Sequence, residues 1–182
     1  MSETPINTKI NGVYELKLNL FEDDRGSFLN IYRSNENKFK NFFSNSIQQI
    51  NLSKTTKKGT IRGLHFQNSP HEEAKLITCI KGKVFDVAVD MRRNSPTYLK
   101  WHSVQLEPFK LNAIIIPKGC AHGFQTLTED SEVLYVHTNH WVPASELGVK
   151  YNDPSISIKW PMECSHISKK DNELPFLKKS AL

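Results

Sequence analysis

The sequence predicts an all-β fold, a sandwich or barrel of short strands, on three observations. Apolar and polar residues alternate with a period of two in several short runs. Gly, Pro and Asn recur between those runs as turn signals, and little of the chain has helical periodicity. Val13–Leu18 alternates as a half-buried strand does, Asp23-Asp24-Arg25-Gly26 reads as a turn, and Ser27–Tyr32 reads as the next strand. Asn35–Phe43, with Phe39, Phe42 and Phe43, is the best candidate for a short helix. From Ile47 strands dominate: Ile47–Leu52, Gly59–Phe66 and Lys75–Ile80, then the turn Lys81-Gly82-Lys83 and the strand Val84–Asp90. Trp101–Leu106, Asn112–Ile116 and Glu132–Thr138 follow. Pro117-Lys118-Gly119 is a turn, because Pro fixes φ and Gly permits positive φ. From Asn152-Asp153-Pro154 onward, the polar C-terminal part reads as irregular chain wrapping that body. With no repeat, long linker or low-complexity segment, a single domain over 1–182 is expected, its body spanning about 10–150 and its wrapping segment about 151–182.

Composition narrows the function. A chain of 182 residues, 38% hydrophobic and 24% charged, has the balance of a soluble globular domain large enough for a sizeable core. Its net charge of +5 comes largely from scattered lysines, with no arginine-rich run or zinc-finger spacing, so nucleic acid is not an expected partner. A small anionic ligand such as a nucleoside diphosphate suits that balance. Cys79, Cys120 and Cys164 are odd in number and widely spaced, which argues against a disulfide framework or structural zinc. The first residues lack the basic and apolar regions of a signal peptide, and no apolar run is long enough to span a bilayer. A cytoplasmic protein with no membrane partner is the expectation.

Gly59-Thr60-Ile61-Arg62-Gly63-Leu64-His65-Phe66-Gln67 is the most informative stretch. On a regular strand Arg62 and His65 point to opposite faces, but a bulge beside Gly63 would bring them to one site. An anion clamp beside a titratable base suits proton abstraction from a phosphate-bearing substrate. Lys75 starts the next strand, His122 sits in a Gly-flanked turn just before a strand, and Tyr135 lies on a later strand. A base, a cationic electrophile and a phenolic acid suffice to deprotonate carbon next to a carbonyl and reprotonate it from the other face. Individually, Lys75 also reads as a solvated lysine and Tyr135 as a core aromatic, so only the combination is informative. A catalytic metal is not expected: His65 and His71 are loosely spaced, and His71-Glu72-Glu73 reads as a solvated turn. No Ser sits in a nucleophile elbow and no Cys has an evident partner.

Arg62–Gln67, Gly82–Asp90, Ser95-Pro96-Thr97, Ile116–Phe124 and Asn152-Asp153-Pro154, in that order, resemble the dTDP-4-dehydrorhamnose 3,5-epimerase family. The resemblance runs from about Asp24 to Asp171. It implies a jelly-roll, cupin-like fold with short peripheral helices, a homodimer, no cofactor, and metal-independent epimerisation of a nucleoside-diphosphate 4-keto-6-deoxyhexose. By position, His65 matches the general base, Asp171 the carboxylate that orients it, Tyr135 the proton donor and Lys75 the enolate stabiliser. Arg25, Gln49, Asn51, Arg62, His122, Glu146 and Lys170 match substrate-binding positions. Asn30 and His140 stand where the family usually has a glutamate and a base-stacking aromatic. Both departures lie at the nucleoside end, so weaker discrimination for thymidine is expected, unless Trp141 supplies the ring. Open alternatives are epimerisation at C3 or C5 alone, a CDP-linked or other non-thymidine sugar, and a non-catalytic sugar-nucleotide-binding jelly roll.

Overall fold

The computed structural model describes residues 5–36, 39, 43 and 47–178. Its main body is two facing sheets. One runs β1 (Ile6–Asn7), β2 (Tyr14–Lys17), β10 (Asn112–Ile116), β7 (Lys75–Lys81), β12 (Ser131–His137) and β5 (Gln49–Thr55). The other runs β13 (Glu146–Gly148), β6 (Thr60–Gln67), β11 (Cys120–Thr126), β8 (Val84–Asp90) and β9 (Trp101–Leu106), with β14 (His166–Ile167) parallel to β6. Every other strand pair is antiparallel, as in a jelly roll. A separate hairpin is formed by β3 (Asn19–Asp23) and β4 (Gly26–Asn30).

Ile77, Cys79, Ile114, Ile116 and Val133 of the first sheet pack on Val84, Ala88, Leu106, Cys120 and Phe124 of the second. The intervening residues are buried too. Leu76, Ile115 and Val136 form a core with Leu16, Phe39 and Phe43 on the outer face of the first sheet. Leu64, Val87, Val89 and Ala121 pack under Ile156 and Ile158 on the outer face of the second. Ile156 and Ile158 thus cover an apolar sheet face. Because both faces are covered, strands such as Ala113–Ile116 read as continuous apolar runs, without the period-two pattern of a half-solvated sheet.

Three expectations need completion or correction. Between the strand expected at Val13–Leu18 and the turn at Asp23–Gly26 lies a further strand, Asn19–Asp23, which pairs with Gly26–Asn30. His122 is not in a turn before a strand but inside β11, where Ala121, Gly123 and Phe124 are buried with it. The polar C-terminal part carries the short helix α1 (Lys169–Asn172), whose Ser168 side chain accepts from the Asp171 N–H. The helix expected at 35–43 lies largely outside the described residues. Phe39 and Phe43 are described, and both pack on Tyr32, with ring centroids 4.9 and 5.4 Å away.

Candidate active site

A cleft of about 690 Å³ opens between the sheets and is lined from β5, β6, β7, β11 and β12 and from the segment around α1. It contains Gln49, Asn51, Arg62, His65, Lys75, His122, Tyr135, Glu146, Lys170 and Asp171. A bulge brings Arg62 and His65 together. His122 pairs with His65 and Phe124 with Arg62, so two steps along β11 oppose three along β6. The bulge depends on two glycines set back to back. A Cβ on Gly63, whose φ is +112°, would lie 2.6 Å from the His122 carbonyl oxygen and 2.7 Å from the Gly123 Cα. One on Gly123 would lie 2.7 Å from the Arg62 carbonyl oxygen.

His65 Nε2 lies 2.9 Å from Asp171 Oδ1, while Asp171 Oδ2 accepts from the Gly63 N–H at 3.0 Å. Burial works against the Asp171 carboxylate, but the hydrogen bonds from His65 and Gly63 outweigh it and hold the carboxyl below its usual range. A carboxylate on Nε2 fixes that nitrogen as the N–H and leaves Nδ1 with a lone pair.

Lys75 is buried, contrary to its reading as a solvated lysine. Its Nζ is 3.0 Å from Glu73 Oε1 and donates to the His65 carbonyl at 3.4 Å. Glu73 is likewise buried, which corrects its reading as a solvated turn residue. Its other oxygen accepts from Gln67 Nε2 at 2.7 Å. His122 Nε2 is 2.8 Å from Asp86 Oδ2, and both are buried. The Tyr135 phenol is raised far above its ordinary range by burial and by the nearby Asp86 charge, so it carries its proton at neutral pH.

Also lining the cleft, Lys170 Nζ lies 2.6 Å from Glu146 Oε2, and the Trp141 indole N–H donates to the same oxygen at 3.1 Å. The Trp141 backbone N–H donates to Gln49 Oε1 at 2.8 Å, and Gln49 Nε2 donates to Asn51 Oδ1 at 3.1 Å. Arg62 donates to Thr55 Oγ1 at 3.0 Å and to the Lys54 carbonyl at 3.2 Å, both neutral acceptors.

Three expected residues lie elsewhere. His140 is not among the cleft-lining residues; its ring meets His71 edge-on, with centroids 6.3 Å apart. Trp141 lines the cleft instead. β12 has ended at His137, so strand alternation no longer governs which way neighbouring side chains point. Arg25 and Asn30 sit on the β3–β4 hairpin, outside the chain's own cleft, with Arg25 ion-paired to Asp23. Sequence reasoning also missed Glu73, Asp86 and His137. Asp86 alternates with Val84 and Ala88 along β8 and so shares their face of the strand, the one signal that could have placed it near the interior.

The family model for dTDP-4-dehydrorhamnose 3,5-epimerase matches residues 7–179. This chain belongs to that family. It is 41% identical over 180 residues to the dTDP-4-dehydrorhamnose 3,5-epimerase of Salmonella typhimurium, covering 97% of each chain. It is 34% identical over 166 residues to the dTDP-4-dehydrorhamnose 3-epimerase of Streptomyces niveus, covering 90% of this chain and 79% of that one. The crystal structure of dTDP-6-deoxy-D-glucose-3,5-epimerase from Legionella pneumophila, in complex with dTDP-4-keto-L-rhamnose, superposes with a TM-score of 0.87 at 33% identity. That match covers 98% of this chain and 96% of the Legionella chain. The jelly roll is thus the fold of this epimerase family. Among the described residues no helix is long and apolar enough to cross a membrane.

Proposed function

We propose that this protein is an isomerase that epimerises a dTDP-linked 4-keto-6-deoxyhexose at C3 and C5, the whole chain acting as one epimerase domain in the cytoplasm. The observation that carries the reading is the meeting, in one cleft, of a carboxylate-anchored imidazole, a buried ammonium and a phenol that stays protonated. The 4-keto group acidifies the hydrogens on C3 and C5. His65 Nδ1 removes a proton, the Lys75 ammonium stabilises the enolate oxygen, and Tyr135 returns a proton from the opposite face. One base and one acid serve both centres if the sugar ring turns between steps. A purely binding jelly roll would need neither group. This mechanism calls on no metal, because the Lys75 ammonium is there to meet the enolate oxygen.

Solvent-deuterium incorporation into dTDP-, CDP-, UDP- and GDP-linked 4-keto-6-deoxyhexoses tests this reading. Label is expected at both C3 and C5 of the dTDP sugar, at a rate unchanged by exhaustive chelation. Label at one carbon would make the protein a single-centre epimerase, and loss of activity with EDTA, restored by one divalent ion, would remove the metal-independent mechanism.

The relatives' dTDP-linked substrates support the choice of dTDP, and Trp141, which lines the cleft where His140 does not, offers a ring for the base to stack on. Base–aromatic stacking contributes about 1–3 kcal/mol, so Trp141→Ala is expected to weaken dTDP binding by about five- to a hundredfold. Calorimetric titration checks this, and an unchanged dTDP affinity would place the stacking group elsewhere.

The reading includes a homodimer. Phe21 and Phe28 on the hairpin are 57% and 65% exposed, and Ile50 and Leu52 on the edge strand β5 are 60% and 46% exposed. Apolar side chains on a free edge and a projecting hairpin suit a symmetric partner, whose cleft would then receive Arg25 and Asn30. Light scattering is expected to give twice the chain's 20.9 kDa. A monomer active at all concentrations would leave Arg25 and Asn30 without a role.

A further inference from the structure

The side chains that β12 sends into the cleft are Tyr135 and His137, two residues apart on one face of the strand. His137 takes no part in the acid, base and electrophile roles assigned above, yet its contacts are specific. Its ring lies nearly parallel to the Tyr135 phenol, with centroids 5.9 Å apart and planes 16° off. Its Nε2 lies 3.4 Å from Asn51 Nδ2 on β5, where an amide N–H meets an imidazole lone pair. The His122 ring meets the phenol edge-on at 5.7 Å and 77°. His122 is itself held by Asp86 at 2.8 Å. The phenol therefore packs against two imidazoles, each tethered to a different strand.

His137 is also the residue of β12 that lies across the ladders from both Lys75 and Gln49. Burial, and then the positive charge of Lys75, push its pKa down to about 3. The ring is therefore neutral at physiological pH and adds no cation beside Lys75. A neutral aromatic plane next to a phenol restricts rotation without changing the phenol's proton. Phenolic side chains on strands commonly occupy either of two χ1 wells, so a neighbour that closes one of them selects the other.

We infer that His137 is a positioning residue, whose stacked ring holds Tyr135 in the orientation from which its hydroxyl protonates the enolate. The inference rests on Tyr135 being the proton donor. It concerns the partition of the enolate: with the phenol fixed, the enolate is quenched on the face that inverts the centre. With the phenol loose, the enolate instead regains a proton from His65 on the original face.

The test compares His137→Ala, His137→Gln and His137→Phe by the ratio of net inversion to solvent-deuterium exchange, using a dTDP-4-keto-6-deoxyhexose and the full chain. His137→Ala and His137→Gln, which remove the ring, are expected to lower this ratio roughly five- to tenfold, the size of one aromatic pair. His137→Phe, which keeps a ring but loses the bond to Asn51, is expected to restore the ratio to within about twofold of wild type. A merely structural role would depress inversion and exchange together and leave the ratio unmoved, and that result overturns the inference. If His137→Ala does not fold, the Gln and Phe variants decide, because equal ratios in those two would exclude the stack. Tyr135→Phe separates the two levels of the argument. Normal inversion in that variant removes the proton-donor reading itself. Lost inversion there, with unaltered ratios in all His137 variants, removes only the positioning role.

Discussion

His65→Ala is expected to lower the rate of epimerisation by about two to four orders of magnitude, the usual contribution of a positioned general base. Nucleotide binding should change little. His65 lies on β6 beside the bulge, whereas the contacts among Trp141, Gln49 and Glu146 do not run through its ring. The substitution leaves Asp171 with its bond from the Gly63 N–H, so a buried carboxylate keeps one partner and the local backbone keeps its anchor. Measured side by side, turnover and dTDP affinity should separate: the first collapses while the second holds. A His65→Ala enzyme that exchanged substrate C–H for deuterium at nearly the wild-type rate would exclude His65 as the base.

Tyr135→Phe should abolish net inversion while leaving exchange measurable. The phenol keeps its proton because burial and the nearby Asp86 charge oppose a phenolate, and a phenylalanine has no proton to give. His65 can still remove a proton and return it on the same face, which washes label into the substrate without changing its configuration. The ring itself is retained, so packing against His122 and His137 survives and stability should move little. Proton NMR in deuterated buffer reports both outcomes in one experiment. Equal loss of exchange and inversion would show that Tyr135 also takes part in proton removal.

Much of this could be read along the chain, and the remainder fails for identifiable reasons. Arg62 and His65 were legible as partners only through Gly63, because strand alternation alone separates them. The glycine that permits the bulge is visible, but the second glycine that forces it, Gly123, comes from another strand. That cross-strand contact is also why His122 belongs to a strand and not a turn. Glu73 looked solvated because it stands beside Glu72 after a proline. Its burial follows from Lys75 and Gln67, two partners on strands flanking its turn. Trp141 was left open as the source of the ring, because the sequence does not show that β12 stops at His137 and frees the residues beyond it from strand alternation. Arg25 and Asn30 were placed by resemblance, and the hairpin carries them away from the cleft of their own chain.

The pairing of His65 with Asp171, His122 with Asp86 and Lys75 with Glu73 has a consequence for the speed of the chemistry. In water, an enolate forms only as surrounding dipoles swing round to meet its charge, and that reordering is part of the barrier. On the proposed mechanism, the groups that meet the developing charge are already aimed and held by desolvated counterparts, an arrangement whose free-energy cost falls on folding. The solvent response is in effect frozen into the protein before substrate arrives, so little reorganisation remains for the transition state.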